Sequence, residues 1–219
     1  MHAEFFQEVL KVPAEKVRVI PVGAEEAVFK PCKKQSSKNK QFTVLFYGSY
    51  IPLQGVDVIV KAALLTRDSD IKWIFIGDGP LKNKCVVLAG KSENIVFLDW
   101  VPYESLPDKI CSADILLGIF GKTPKARRVI PNKVYQALAC DKPVITQKSL
   151  AYPKEISDVS AGFIQIADID PEKLYESVSN IKATIESNPD IKFDSKKIYE
   201  KFFSQKKIRE ELSSLLKSL

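Results

Sequence analysis

Five cations in a stretch without acids are the residues whose types and spacing most clearly indicate chemistry. They are Lys122, Lys125, Arg127, Arg128 and Lys133. The stretch ends immediately before a helical pattern, so Asn132 is a candidate N-cap residue and Lys133 lies in the first helical turn. The free N–H groups and the positive dipole end of a helix N-terminus favour a bound anion. We therefore predict a site for a phosphorylated ligand at this helix start.

Three more loops could contribute to the same site, because each directly follows an apolar, strand-like segment. They are Gly48-Ser49-Tyr50-Ile51-Pro52-Leu53-Gln54-Gly55, Gly77-Asp78-Gly79-Pro80 and Asp99-Trp100-Val101-Pro102. Glycine lets a backbone approach a ligand closely, and Trp100 presents a large aromatic ring. Gly48 and Gly55 do not form the pattern G-x-G-x-x-G, so the dinucleotide fingerprint is absent.

The elements that must position these loops form a regular alternation of short apolar strands and amphipathic helices. Strands are predicted over 42–47, 71–76, 94–98, 114–119, 143–146 and 162–166, and helices over 56–66, 85–88, 103–111, 133–140, 171–186 and 195–219. Strands that are hydrophobic at nearly every position are typical of a parallel sheet with helices on both faces. We therefore predict an α/β fold, a Rossmann-like doubly wound parallel sheet of about six strands. Ligands bind beyond the carboxyl ends of such strands, where the four loops would meet.

The remaining segments define the expected domain organisation. A helix over 3–12, ended by Pro13, and a short strand over 17–22 make residues 1–31 an interdomain helix and strand. Residues 32–41, which lack a hydrophobic face, are predicted to be a linker or mobile loop. The Rossmann-like domain is expected over 42–190 and a C-terminal helix over 191–219.

Composition excludes several classes of site. Cys32, Cys85, Cys111 and Cys140 are widely scattered, so we expect reduced thiols and neither a metal site nor a disulfide. His2 is the only histidine, which disfavours Ser-His-Asp, Cys-His and zinc mechanisms.

The charge and the hydropathy of the chain limit its expected partners and location. The net charge is +6, but the cation runs outside residues 121–133 are interpreted as solvated surface, and nucleic acid is not expected as a partner. There is no apolar run long enough to span a bilayer and no signal-peptide pattern, so we expect a cytoplasmic protein.

Several segments together resemble the C-terminal half of family 4 retaining glycosyltransferases, which have the GT-B fold. The segments are VRVIPVGAEEAVFKP at 17–31, a glycine loop that ends in QGVD at 54–57, IFIGDGPL at 74–81, NIVFLDWVPYESLPDKICSADILLGIF at 94–120, NKVYQALACDKPVIT at 132–146 and the tail from 199 to 219. The resemblance covers nearly the whole chain and is specific as a combination. It implies that the N-terminal Rossmann domain, which carries the acceptor site, lies outside this sequence.

The resemblance also assigns roles to individual residues. The family has two glutamates eight positions apart; the second falls on Gln136, which is implied to face the ribose, and the first falls on Arg128. Pro131-Asn132-Lys133 is similar to a Pro/Ser-x-Lys signature found in part of the family. The family's phosphate-binding Arg and Lys fall near Ser49 and Gln54, both neutral here, so Lys133, Arg127 and Arg128 are expected to supply the charge.

From their places in the first loop and at the helix start, we also expect Gly48 and Asn132 to border the diphosphate. The resemblance places the base near Gly77, Asp78, Gly79, Trp100 and Val101. No residue within the chain is assigned a catalytic role.

The implied function is donor binding by a retaining glycosyltransferase that moves a sugar from a nucleoside diphosphate to an acceptor hydroxyl. The nucleotide-sugar is the expected partner, the fragment alone is expected to be inactive, and neither cofactor nor metal is expected. The full-length form is expected to make peripheral contact with the inner face of a membrane. Two alternatives stay open: half of a nucleotide-sugar epimerase on the same scaffold, and a module that binds polyanions or nucleic acid through its Lys-rich segments.

Overall fold

The centre of the fold is a six-stranded parallel sheet. A computed structural model of the chain describes residues 3, 5–32, 41–66, 70–158 and 162–217. The strands are β1 (Phe42–Tyr47), β2 (Ile71–Ile76), β3 (Ile95–Leu98), β4 (Ile115–Leu117), β5 (Val144–Gln147) and β6 (Phe163–Ile166). Their order is β3-β2-β1-β4-β5-β6, and each neighbouring pair is parallel. The predicted Rossmann-like sheet is confirmed, and its order reverses direction between β1 and β4.

Helices cover both faces of this sheet. They are α1 (Val56–Leu64), α2 (Lys82–Ala89), α3 (Leu106–Ser112), α4 (Asn132–Ala139), α5 (Pro171–Ser187), α6 (Ser195–Phe202) and α7 (Gln205–Lys217). One core joins α1, α2 and α5 to the first face. A second core joins α3, α4 and α6 to the other. Burial of these apolar side chains on both faces is the main favourable contribution to the stability of the layered fold.

Strand β1 shows how the two cores fix the direction of each side chain. All six of its residues are buried. Val44 and Phe46 belong to the core beneath α1, whereas Leu45 and Tyr47 belong to the core beneath α4. Since side chains alternate along a strand, the last residue, Tyr47, is directed at α4, and at the carboxyl edge of the sheet.

Three sequence predictions about the local structure are wrong. Residues 17–22 are not a strand: they lie outside the sheet, and Val19 and Val22 are 61% and 75% exposed. The predicted C-terminal helix is two helices, because the chain turns at Phe203, which is 1% exposed and packs edge-on against Tyr135. In place of the helix predicted over 3–12, the structure has one π-helical turn over Phe5–Val9, and a 3₁₀ turn follows at Ala14–Lys16.

The cysteines also differ from the sequence prediction. Cys32 and Cys111 form a disulfide, whereas Cys85 and Cys140 are free and buried, as expected. The N–H of Cys32 also donates to the carbonyl of Cys140, which holds the backbone of Cys32 at the end of α4. A separation of 79 residues gave no sign of this pairing in the sequence.

The linker prediction and the membrane prediction both concern a chain that the structure describes in part. Most of the linker predicted over 32–41, residues 33–40, lies outside the described residues. Within the residues that the structure does describe, none of the helices has the length and apolar character needed to cross a membrane.

Candidate functional site

The loops that follow β1 and β2 are joined at the carboxyl edge of the sheet. The N–H of Gly48 donates to the carbonyl of Ile76, and the N–H of Tyr50 donates to that of Asp78, each at 2.9 Å. Gly77 must be a glycine here: it has a φ of 129°, and a Cβ on it would lie 2.2 Å from the Gly48 carbonyl oxygen. Because these loops contain glycines, few side chains cover the carboxyl end of β1, and this end of the strand is open towards the start of α4.

Lys133 projects from the first turn of α4 into this edge. Its Nζ donates to Oε1 of Gln54 at 2.7 Å and lies 3.8 Å from the centre of the Phe46 ring. A Cβ on Gly48 would lie 3.0 Å from the same Nζ, so the glycine leaves room for the ammonium group. The structure therefore brings together Gly48, Gln54 and Lys133, three of the residues predicted to border the diphosphate.

The charge of Lys133 is poorly compensated. The residue is 6% exposed, and burial lowers the pKa of its ammonium group well below the ordinary value of 10.5. No carboxylate of the described residues is within ion-pair distance of it; its neighbours are an amide oxygen and aromatic faces. A buried cation is normally paired, since desolvation of an isolated charge is costly. The arrangement is therefore suited to an incoming anion.

Gln136 lies one turn further along α4 and is held from below by Tyr47. The Tyr47 hydroxyl donates to Oε1 of Gln136 at 2.7 Å, and both residues are less than 10% exposed. Burial, followed by the nearby Cys140, raises the pKa of Tyr47 well above 10, so the phenol stays protonated as a donor. With its oxygen engaged by Tyr47, the amide of Gln136 can direct its N–H groups elsewhere.

A family comparison agrees with this fold. Residues 41–183 match the family model described as glycosyl transferases group 1. The chain belongs to this family.

The probable glycosyltransferase WbjE of Pseudomonas aeruginosa is similar to this chain in sequence. The two are 25% identical over an alignment of 154 residues, and the match covers 66% of this chain and 36% of WbjE. The chain thus spans about a third of the length of this curated relative.

Solved structures of similar fold include HepE of Anabaena in complex with UDP, with a TM-score of 0.74 at 16% identity. That match covers 95% of this chain and 59% of HepE. Sucrose-phosphate synthase of Thermosynechococcus elongatus gives a TM-score of 0.75 at 16% identity, over 99% of this chain and 55% of the synthase. These likenesses establish the fold, and this family member corresponds to little more than half of either enzyme.

The other residues predicted at the diphosphate lie in the β1 loop, in the segment before α4 and at the start of α4. Pro131 is the N-cap of α4, so the prediction that Asn132 caps it is wrong by one position; Asn132 is the first helical residue, exposed and without a side-chain cap bond. Ser49 is half-buried in the β1 loop. Arg127 and Arg128 are exposed. Arg128 lies on the rim of a neighbouring apolar groove of about 560 Å³, bordered by Ile130, Tyr135 and Tyr152 among others.

The residues predicted near a base form the β2 and β3 side of the same edge. Oδ1 of Asp78 accepts the N–H of Gly79 at 2.7 Å, which closes the turn after β2. Trp100 is 59% exposed, and the neighbouring Val101 packs partly against the core beneath α4. This family member therefore presents an exposed indole beside a glycine turn.

Tyr47 and Tyr103 are not among the site residues predicted from the sequence. The sequence pattern predicts Tyr47 only as the last residue of a buried strand, although a hydroxyl at the carboxyl end of an otherwise mostly apolar strand is a usable signal. The sequence predicts Tyr103 in a helix after β3, whereas the structure places it in a 3₁₀ turn over Tyr103–Ser105, where it is 43% exposed. Both hydroxyls lie beside Gln136.

Proposed function

We propose that this domain binds the nucleoside diphosphate of a nucleotide-sugar. In the whole protein, the sugar would pass to an acceptor hydroxyl with retention at the anomeric carbon. The observation that carries the proposal is the buried ammonium group of Lys133, which has no carboxylate partner among the described residues, at the start of α4. It lies between the β1 loop and the switch point of the sheet, where open α/β sheets bind phosphorylated ligands. Family membership and the UDP bound in the HepE complex support the same ligand class.

The chemistry assigned to this domain is electrostatic. When a glycosidic bond to a diphosphate breaks, negative charge develops on the leaving phosphate oxygens. Lys133 and the free N–H groups of the first turn of α4 are fixed donors that stabilise such charge without proton transfer. Gln136 would hold the ribose, and the turn at Gly77 to Gly79 with Trp100 would border the base. The proposal does not require a metal, since Lys133 supplies the positive charge.

UDP is expected to stabilise the chain against heat. A ligand that binds only the folded state at a hundredfold excess over Kd contributes about 2.7 kcal/mol, which corresponds to a rise in Tm of roughly 5–10 °C for a domain of this size. The measurement is thermal unfolding with UDP, GDP, ADP and the corresponding sugar nucleotides. Uridine, which lacks phosphates, is the matched control and should give a much smaller shift.

The same titrations discriminate against the alternatives. Stabilisation by heparin and UDP alike, lost at about 0.5 M salt, would favour a polyanion-binding module over a nucleotide site. No shift with any nucleoside diphosphate would overturn the proposal. Incubation of the whole protein with a sugar nucleotide separates a transferase, which passes the sugar to an acceptor and releases UDP, from an epimerase, which returns an isomeric sugar. The isolated chain is expected to bind without transferring sugar.

Replacing Gln136 by leucine is expected to weaken UDP binding by about 1–2 kcal/mol, because a ribose hydroxyl would lose its partner. Replacement by glutamate should be tolerated, since a carboxylate can still accept the Tyr47 hydroxyl. Isothermal titration calorimetry with UDP measures both, and circular dichroism checks the fold. Wild-type affinity in Gln136→Leu, or loss of binding in Gln136→Glu, would contradict the ribose assignment.

A further inference from the structure

A chain of polar contacts continues from Gln136 to the surface through Tyr103. The Tyr103 hydroxyl lies close enough to the side-chain amide of Gln136 for that amide to lower the pKa of the hydroxyl, against the larger effects of burial and Glu25. That hydroxyl lies 3.4 Å from Oε2 of Glu25, to which it donates. The four residues Tyr47, Gln136, Tyr103 and Glu25 therefore form one relay whose buried end is Tyr47 and whose outer end faces solvent.

The direction of the hydrogen bonds in this relay is fixed at both ends. Tyr47 donates to Oε1 of Gln136, so the amide N–H groups remain for Tyr103 and for a ligand. Glu25 is an acceptor as a carboxylate, so the Tyr103 hydroxyl donates to it and keeps lone pairs free. Burial and the charge of Glu25 raise the pKa of Tyr103, so it remains a neutral phenol at physiological pH.

The ring of Tyr103 is held in place although its hydroxyl is accessible. It packs edge-on against Phe29, with ring centres 5.5 Å apart, and Phe29 is 1% exposed. Tyr103 itself is 43% exposed. An aromatic side chain fixed by a buried neighbour places its polar tip with a small loss of conformational entropy on binding.

We propose that Tyr103 is a second ribose-binding residue, whose hydroxyl contacts one of the two ribose hydroxyls while Gln136 contacts the other. This inference rests on the proposed function, because it places the ribose at Gln136. A ribose diol carries two adjacent groups that each donate and accept. The amide N–H of Gln136 and the lone pairs of Tyr103 form an adjacent donor and acceptor of the same kind. Glu25 is a positioning residue that acts through Tyr103.

The test compares UDP, 2′-deoxy-UDP and 3′-deoxy-UDP by isothermal titration calorimetry on the full chain. In the wild type, removal of the hydroxyl that Tyr103 contacts should weaken binding by about three- to tenfold. In Tyr103→Phe, UDP should bind about three- to tenfold more weakly, and one of the two deoxy analogues should bind as well as UDP does. That loss of discrimination identifies the hydroxyl, and a purely structural role would not produce it.

Tyr175→Phe on α5 is the matched control and should keep the wild-type affinities for all three ligands. The inference is overturned if Tyr103→Phe binds UDP as the wild type does, or if it is weakened equally for all three ligands. If the wild type binds none of UDP, GDP and ADP, the proposed function itself fails. If the wild type binds UDP but the Tyr103→Phe variant still binds both 2′-deoxy-UDP and 3′-deoxy-UDP more weakly than UDP, as the wild type does, only the role of Tyr103 fails.

Discussion

Replacing Lys133 by methionine is expected to weaken the binding of UDP by about 1.5–3 kcal/mol, which is roughly 10- to 150-fold. Methionine keeps an unbranched chain over the Phe46 ring and removes the ammonium group that now donates to Gln54. A diphosphate at this edge would lose a charge-assisted hydrogen bond, the strongest type the site can offer. Isothermal titration calorimetry at constant ionic strength measures the loss.

The same substitution should not destabilise the fold. Lys133 is desolvated without a carboxylate partner among the described residues, and burial lowers its pKa below 10.5. Between its folded-state pKa and 10.5, the unfolded chain binds a proton that the folded protein has released, so the contribution of Lys133 to stability rises with pH there. Below the folded-state pKa, the buried Lys133 is charged, and the folded protein bears the full cost of desolvating its ammonium group. Lys133→Met should therefore be at least as stable as the wild type at about pH 7, with an advantage that shrinks towards about pH 10.

Nucleotide affinity should follow the protonation of Lys133. Phosphate oxygens favour the charged amine, so binding raises the pKa of Lys133 and takes up a proton over the alkaline part of the window. Affinity should fall as pH rises through the folded-state pKa in the wild type and stay flat in Lys133→Met. Lys125→Met, an exposed cation of the same loop, is the matched control. An equal loss in both variants would indicate a diffuse basic surface instead of a site at Lys133.

The sheet could be predicted from sequence because its signal is local. Each strand is a short run made mostly of apolar residues, because burial on both faces of the sheet leaves room for few polar side chains. The predicted bounds of β1 and β2 agree with the structure residue for residue. The same logic placed Lys133 at the carboxyl edge, since a helix that follows a parallel strand must begin there.

Contacts within the site could not be predicted because they join distant parts of the chain. Tyr47 and Gln136 are 89 residues apart, and Tyr103 and Glu25 are 78 apart. Strand alternation limits Tyr47 to one face but does not say which helical residue it meets. Helix starts are also uncertain by about one residue, which is enough to move Asn132 from a cap position to an exposed helical one.

The predicted strand over 17–22 shows the opposite error. Its residues have strand-like composition, yet Val19 and Val22 are largely exposed and no strand of the described sheet pairs with them. Composition reports a preference for extended backbone, whereas a strand also needs a partner with free N–H and C=O groups.

Removing the Cys32–Cys111 disulfide is expected to lower the free energy of unfolding by about 2–4 kcal/mol. The bond joins residues 79 positions apart, and the loop that it closes contains β1, β2 and β3, one half of the sheet. Opening a loop of this length gives the unfolded chain many more conformations, and that entropy favours unfolding. Urea unfolding of the wild type and of the double variant Cys32→Ala, Cys111→Ala measures the difference as a lower transition midpoint, with a slope that is equal or somewhat steeper because the unfolded chain without the cross-link is less compact.

A reducing agent supplies the control for this experiment. It should lower the urea transition midpoint of the wild type towards that of the double variant and leave the midpoint of the double variant unchanged. Cys85 and Cys140 are free and buried, and burial raises the pKa of each thiol to about 11, so neither should exchange readily with the disulfide or with the reductant. Coincident transitions for the oxidised wild type and the double variant would mean that packing of Cys32 against the end of α4 already holds this segment, and that the covalent bond adds nothing to the stability of the site above it.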